Sequence, residues 1–410
     1  MLVLLRVSAT RSGMPGIHEV EVVITVVYAA VLVLSAPVNI ILSRFASDRV
    51  YEQRAQQIAA PLRRTLAVTM VAFAFAGAGI VSVLDVPLLL ATGGVALTVV
   101  VGGQWLMLSA AGGLSTPGVI LKAFAWGAPA SLIAAVALSR FDSVGPAGYL
   151  YGFWFGQVVT LALLLWGTFR ALPDDEDEDA AIGPAFSKYW LLGLAALLLQ
   201  GGIWIDKLVV YLLHGGGYAS AYAALAALAW LTVVPTCGYL FLQVETGFYD
   251  SFRAFYDGVE RSAPLDELDR ASARIDADAR RVLLSTGALQ LAVTLIALAA
   301  ADRVTGTLWL DNGEPWTARI LLIGATLQVI SLCATLLLHY FDFQWEALVA
   351  AAVLIAANAS LTSALDGVLP SGSGYAIACG LSGVTAIALL RLRLGTLVRD
   401  TYQAQPYGSE

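Results

Sequence analysis

The 410-residue sequence predicts an all-α, polytopic membrane protein with eleven visible transmembrane helices in two bundles, and three observations carry that prediction. Hydrophobic residues make up 59% of the chain and charged residues only 13%, against roughly 25% charged in an average soluble domain. The apolar residues gather in runs of the length, roughly 20 residues, that crosses a bilayer as a helix. The runs are continuous and rich in Leu, Ala and Val, whereas a membrane barrel would show alternating strands of about ten residues. Little chain is left for a folded enzyme domain outside the membrane.

In chain order the runs are 20–43, 65–84, 88–111, 118–138, 147–169, 187–213, 221–244, 282–301, 318–338, 346–365 and 374–390. Pro37, Pro129 and Pro235 fall inside three of them and predict kinks, because proline frees a backbone carbonyl. Gly152 and Gly156 form a GxxxG pair in the fifth, a spacing that lets two helices approach closely. Asn39, Gln104, Gln157, Gln243, Gln290, Gln328 and Asn358 place single amides in several spans, where interhelical hydrogen bonds are the first expectation. Cys237, Cys333 and Cys379 each sit in an apolar stretch and read as buried thiols.

Charge sets the orientation. With the loop after the first run facing the cytoplasm, seventeen of the 23 basic residues lie on that side. Arg6, Arg11, Arg140, Arg303 and Arg319 lie opposite, so the positive-inside rule places the N-terminus outside. Two long charged cytoplasmic loops, 44–64 and 245–281, are six helices apart. They become equivalent positions in two six-helix repeats, a common transporter plan, if one helix is missing upstream. Residues 1–19 contain no spanning run and no signal-peptide core.

The expected organisation is therefore a non-spanning segment 1–19, a first bundle 20–170 of five visible helices, an acidic cytoplasmic linker 171–186, a second bundle of six helices 187–394 and a cytoplasmic tail 395–410. Asp174, Asp175, Glu176, Asp177, Glu178 and Asp179 make the linker a solvated charge run.

The sixth span carries Asp206 and Lys207 between apolar residues, and each costs a few kcal/mol to insert if unpaired. Gln200, Ile203, Trp204, Lys207 and Tyr211 share one helical face. Asp206 is adjacent in sequence and points elsewhere, which argues against a simple internal pair. Gln200, Trp204, Asp206, Lys207 and Tyr211, with Glu245 beyond the seventh span, are the candidate substrate pathway. Holding the bundle together is the equally weighted alternative for Asp206 and Lys207.

After the seventh span, Phe248, Phe252, Phe255, Tyr256 and Val259 form one stripe of a helix predicted to lie in the membrane interface. Asp250, Arg253, Asp257, Glu260 and Arg261 occupy the opposite face and are the candidate docking residues for a cytoplasmic partner. Ser262 and Pro264 are expected to cap a second helix that continues into the eighth span. The sequence has no phosphate-cradling glycine loop and no His-Glu-x-x-His motif, and His18, His214 and His339 are scattered near helix ends. No catalytic residue, metal ligand set, cofactor or nucleic-acid partner is expected.

The runs LSRFASDRVYEQR (42–54), GIWIDKLVVY (202–211), VETGFYDSFRAFYDGVE (244–260) and LLHYFDFQWEAL (337–348) resemble the PelG family, the membrane component of Pel exopolysaccharide secretion. The resemblance extends from about residue 22 to the C-terminus. It implies the multidrug/oligosaccharidyl-lipid/polysaccharide flippase superfamily, with twelve helices in two bundles around a cavity. Residues 1–19 lack the amphipathic stretch and first span with which the family begins, so a twelve-helix fold without its first helix is expected. Also implied are an inner-membrane location, an amino-sugar polysaccharide substrate, a cytoplasmic glycosyltransferase and membrane-anchored secretion partners. A lipid-linked oligosaccharide flippase or an ion-coupled small-molecule exporter of the same superfamily is the rival reading. A scaffold that only anchors a synthase is a third.

Overall fold

The structure is a computed structural model that describes residues 17–114, 116–141, 145–173, 182–307 and 315–404. Segment 1–16 and the acidic residues Asp174–Asp179 lie outside the described residues. Among the described residues eleven helices are long and apolar enough to cross a membrane, and they fall on the eleven apolar runs.

The first five are α1 (Ile17–Tyr51), α2 (Ala59–Leu84), α3 (Leu88–Gly113), α4 (Pro117–Leu138) and α5 (Ala147–Ala171). Short α6 (Gly183–Lys188) precedes α7 (Trp190–His214). The seventh span is split into α8 (Gly216–Leu231) and α9 (Val233–Gln243). The break comes four residues before Pro235, whose ring and missing N–H cannot accommodate the Leu231 carbonyl. A π-helical turn, Val244–Phe248, leads into α10 (Tyr249–Glu260), followed by α11 (Leu265–Thr307). The remaining helices are α12 (Pro315–Tyr340), α13 (Gln344–Ala364), α14 (Ser373–Leu394) and α15 (Leu397–Ala404).

The chain divides into two compact units: residues 1–204 with 214–220, and residues 205–213 with 221–410. In the first unit α3 is the most enclosed span and packs against α1, α2 and α5. The closest approach is between α4 and α5. A Cβ on Gly152 would lie 2.2 Å from the backbone of Ala135, and one on Gly156 would lie 2.5 Å from the Cα of Ser131. One on Gly127 would meet the Thr160 hydroxyl at 1.8 Å. The Gly152/Gly156 pair thus meets a matching row of small residues on α4. Ser131 Oγ donates to the Phe153 carbonyl at 3.3 Å across the seam, so dispersion and a few hydrogen bonds replace the hydrophobic drive that lipid removes.

The second unit is joined by side-chain hydrogen bonds as well as packing. Ser331 and Ser382 hydroxyls meet at 2.9 Å, and Ser382 donates to the Ala350 carbonyl at 2.9 Å, linking α12, α13 and α14. At the arginine-rich end Arg393 pairs with Glu346 at 2.6 Å and with Asp400 at 3.3 Å, which fastens α15 to α13 and α14. Cys333 and Cys379 are buried, and Cys237 is half-buried.

The elbow departs from expectation in two ways. The stripe of α10 packs on protein: Phe248 and Phe255 are fully buried, and Phe252 meets the Tyr340 ring edge-on at 4.7 Å. Phe341 and Phe343 complete this cluster. An amphipathic stripe is satisfied equally by lipid or by another apolar surface, and here α12 and the turn after it supply that surface. Ser262, expected to cap the second helix, instead ends the first. Its φ of 54° is left-handed, its N–H donates to the Val259 carbonyl at 3.1 Å, and the Ala263 N–H donates to the Gly258 carbonyl at 2.9 Å. That pattern satisfies the last carbonyls of a helix. The second helix, α11, runs on into the eighth span as expected, with Leu268, Ile275 and Val282 buried. Its 43 residues make it about 65 Å long at 1.5 Å per residue.

Candidate functional site

Asp206 has no exposed surface and Lys207 is 8% exposed. Two charges in an apolar span demand partners, and here they find each other. Lys207 Nζ donates to Asp206 Oδ1 at 3.0 Å and lies 3.0 Å from Oδ2. This overturns the expectation that the two point apart: the four-carbon lysine stem folds back over the ~100° helical step between neighbours.

The pair sits in a polar network drawn from four other helices of the second unit. From α8, Tyr222 Oη donates to Asp206 Oδ2 at 2.7 Å. From α13, Asn358 Nδ2 donates to Asp206 Oδ1 at 3.4 Å, and Thr362 Oγ1 donates to Asn358 Oδ1 at 3.0 Å. The Lys207 ammonium lies 4.7 Å from the centre of the Tyr375 ring, on α14, and 5.7 Å from that of the Trp230 ring on α8. Both are within cation–π reach. Trp230 Nε1 donates to Tyr375 Oη at 3.4 Å, and Tyr375 Oη donates to Gln328 Oε1 on α12. The carboxylate therefore accepts from three donors, which compensates a charge that would otherwise be prohibitive in the interior.

Of the other candidate pathway residues, Gln200, Trp204 and Tyr211 are half-buried on α7. The Glu245 side chain lies outside the described residues. Tyr222, Trp230 and Tyr375 were not singled out from sequence, since single aromatics in apolar runs carry no signal of their own. Asn358 and Gln328 were expected to make interhelical bonds, and they do. A second buried carboxylate, Glu21 on α1, accepts from Ser220 Oγ at 3.0 Å within the first unit. It too escaped the sequence reading, lying at the start of the first run.

Asp250, Arg253, Asp257, Glu260 and Arg261 are all exposed. Arg253 pairs with Asp257 at 3.7 Å along α10, and Arg261 pairs with Glu267 across the turn into α11. Among the described residues no group of three or more His, Cys, Asp or Glu could hold a metal ion.

The chain is similar to known proteins in family and in fold. The family model for PelG, the exopolysaccharide exporter EPS-E, matches residues 1–402. The chain belongs to the PelG family. No curated protein matches its sequence. Among solved structures, the outward-facing conformation of a multidrug resistance MATE family transporter of the MOP superfamily aligns with a TM-score of 0.70, 13% identity, and coverage of 98% of this chain and 93% of that one. The inward-facing conformation of such a transporter aligns at 0.64 and 11% identity, covering 97% and 99%. A MOP superfamily transporter from Pyrococcus furiosus, whose binding pocket is described as reversed in polarity, aligns at 0.63 and 11% identity, covering 97% and 94%. Identities this low speak for the fold alone. This PelG-family chain is thus a multi-pass membrane exporter of polysaccharide with a MATE-like MOP fold.

Proposed function

We propose that the chain carries an amino-sugar exopolysaccharide of the Pel type across the cytoplasmic (inner) membrane while a cytoplasmic glycosyltransferase extends the polymer. The arginine-rich ends face the cytoplasm in this reading, and membrane-anchored secretion components take over outside. Residues 20–170 and 187–394 act as the two bundles, joined by the 171–186 linker. The chain itself does no chemistry. The family match carries the reading. The α7 helix adds to it, because half-buried Gln200, Trp204 and Tyr211 can offer a sugar polymer stacking and hydrogen-bonding groups, while the buried Asp206–Lys207 pair on the same helix is self-neutralised. Gln200, Trp204, Asp206, Lys207, Tyr211 and Glu245 line the route, and Asp250, Arg253, Asp257, Glu260 and Arg261 receive the glycosyltransferase.

The test is a host lacking this chain, complemented with wild type or with the Arg253→Glu/Arg261→Glu pair. Wild type restores secreted amino-sugar polymer. The double variant inserts normally, loses co-purification with the glycosyltransferase and secretes several-fold less. A deletion strain that instead accumulates a lipid-linked oligosaccharide would favour the flippase reading. Unchanged co-purification would remove α10 from the docking surface.

A further inference from the structure

We infer that Asp206, Tyr222, Asn358, Tyr375 and Trp230 form an ammonium-binding site that the protein fills with its own Lys207. The donor set decides the class of cation. A carboxylate oxygen 3.0 Å from Nζ and ring faces at 4.7 and 5.7 Å surround the charge. One side offers a hydrogen-bond acceptor and the other offers π surface, which suits an N–H-bearing organic cation. A hard metal ion wants six or more oxygen ligands instead. The floor of the site is held independently of the lysine: Tyr222 and Asn358 donate to Asp206, and Gln328 and Trp230 orient the Tyr375 hydroxyl.

Lys207 reaches the site from the position next to Asp206, so its ammonium is present at an effective concentration that free ions do not match. The carboxylate stays neutralised without exchanging an ion with the medium. On the reading of this chain as an exporter, its second unit then needs no bulk cation at this point, unlike an ion-coupled antiporter whose membrane carboxylate must load and release one.

The test is chemical rescue of Lys207→Ala in detergent. Alanine removes three methylenes and the ammonium, and n-propylammonium returns them. Thermal unfolding is followed against n-propylammonium, tetramethylammonium and sodium chlorides at matched ionic strength. Propylammonium should raise the Tm of Lys207→Ala saturably, by about 3 °C at a hundredfold excess over Kd. Tetramethylammonium, which has no N–H for Asp206, and sodium should do much less. Wild type and D206N/K207A should not respond. An equal response to all three salts, or none, would overturn the site. If Lys207→Ala yields no folded protein even when extracted in propylammonium, while D206N/K207M folds, the site does not accept a free ammonium and the proposal fails. No polymer enters this measurement, so its failure leaves the export reading standing.

Discussion

The α4–α5 seam of the first unit and the Asp206 network of the second are both helix contacts buried in apolar spans, yet they are held by opposite means. At the seam Gly127, Gly152 and Gly156 remove side chains so that backbones touch, and the hydrogen bonds are incidental. In the network, residues from five helices meet through a charge and its donors. Shape complementarity tolerates loss of polarity but no added volume. Charge complementarity tolerates changes of volume but no loss of a partner. Lipid makes both possible: it withdraws the hydrophobic drive between helices, and it punishes an unpaired charge more than water does.

The largest effect should come from unbalancing the network. Asp206→Ala should lower stability by about 3–5 kcal/mol, because Lys207 becomes an uncompensated buried charge. D206N/K207M should recover most of that loss, which thermal unfolding in one detergent can compare directly. Equal losses in the single and double variants would mean that packing, and not charge, holds the site.

Next in size is the seam. Gly152→Ala should cost about 1–3 kcal/mol through overpacking against Ala135, whereas Ser131→Ala, which deletes a hydrogen bond and adds no volume, should cost about 1 kcal/mol or less. If the serine variant is the worse of the two, the seam is glued by polarity and the contrast between the units disappears.

The smallest effect lies at the arginine-rich end, outside both contacts. The Thr396 hydroxyl, followed by Arg399 and Arg393, holds the Asp400 carboxyl below the usual carboxylate range. A carboxyl depressed in the folded state contributes stability that is present above its ordinary value and is lost as pH falls through the depressed one. Wild type should therefore lose a small increment of Tm below about pH 4. Asp400→Asn should lack that increment, and the pH profiles of Gly152→Ala and wild type should run parallel.

The spans were readable because a bilayer permits few backbone solutions, so each helix leaves an apolar run with polar ends. Half of the seam was readable too: the GxxxG of α5 carries a known spacing, while its counterpart row, Gly127, Ser131 and Ala135, looks like any small-residue stretch. Asp206 and Lys207 stood out as charges, but their pairing did not, because helical phase separates neighbours and only the length of the lysine stem overrides it. Tyr222 and Tyr375 lie in helices far apart in the sequence, and no local pattern links them. The α10 stripe shows the converse limit. Its period was correct, but a periodic apolar face does not reveal whether lipid or Phe341 will cover it.

Helix α11 runs without interruption from the elbow at Leu265 through its span to Thr307. A rod about 65 Å long exceeds the ~30 Å hydrocarbon layer by more than half its length. The excess lies at the Leu265 end, where Leu268, Ile275 and Ala279 pack into the aromatic cluster of the elbow. A tilt of about 10° at mid-membrane would sweep its charged tip, which opens on Asp266 and Glu267, through roughly 7 Å, given an arm of some 40 Å. The aromatic cluster joins α10 to the turn after α12 beside that tip, so any such rotation would carry the exposed face of α10 with it.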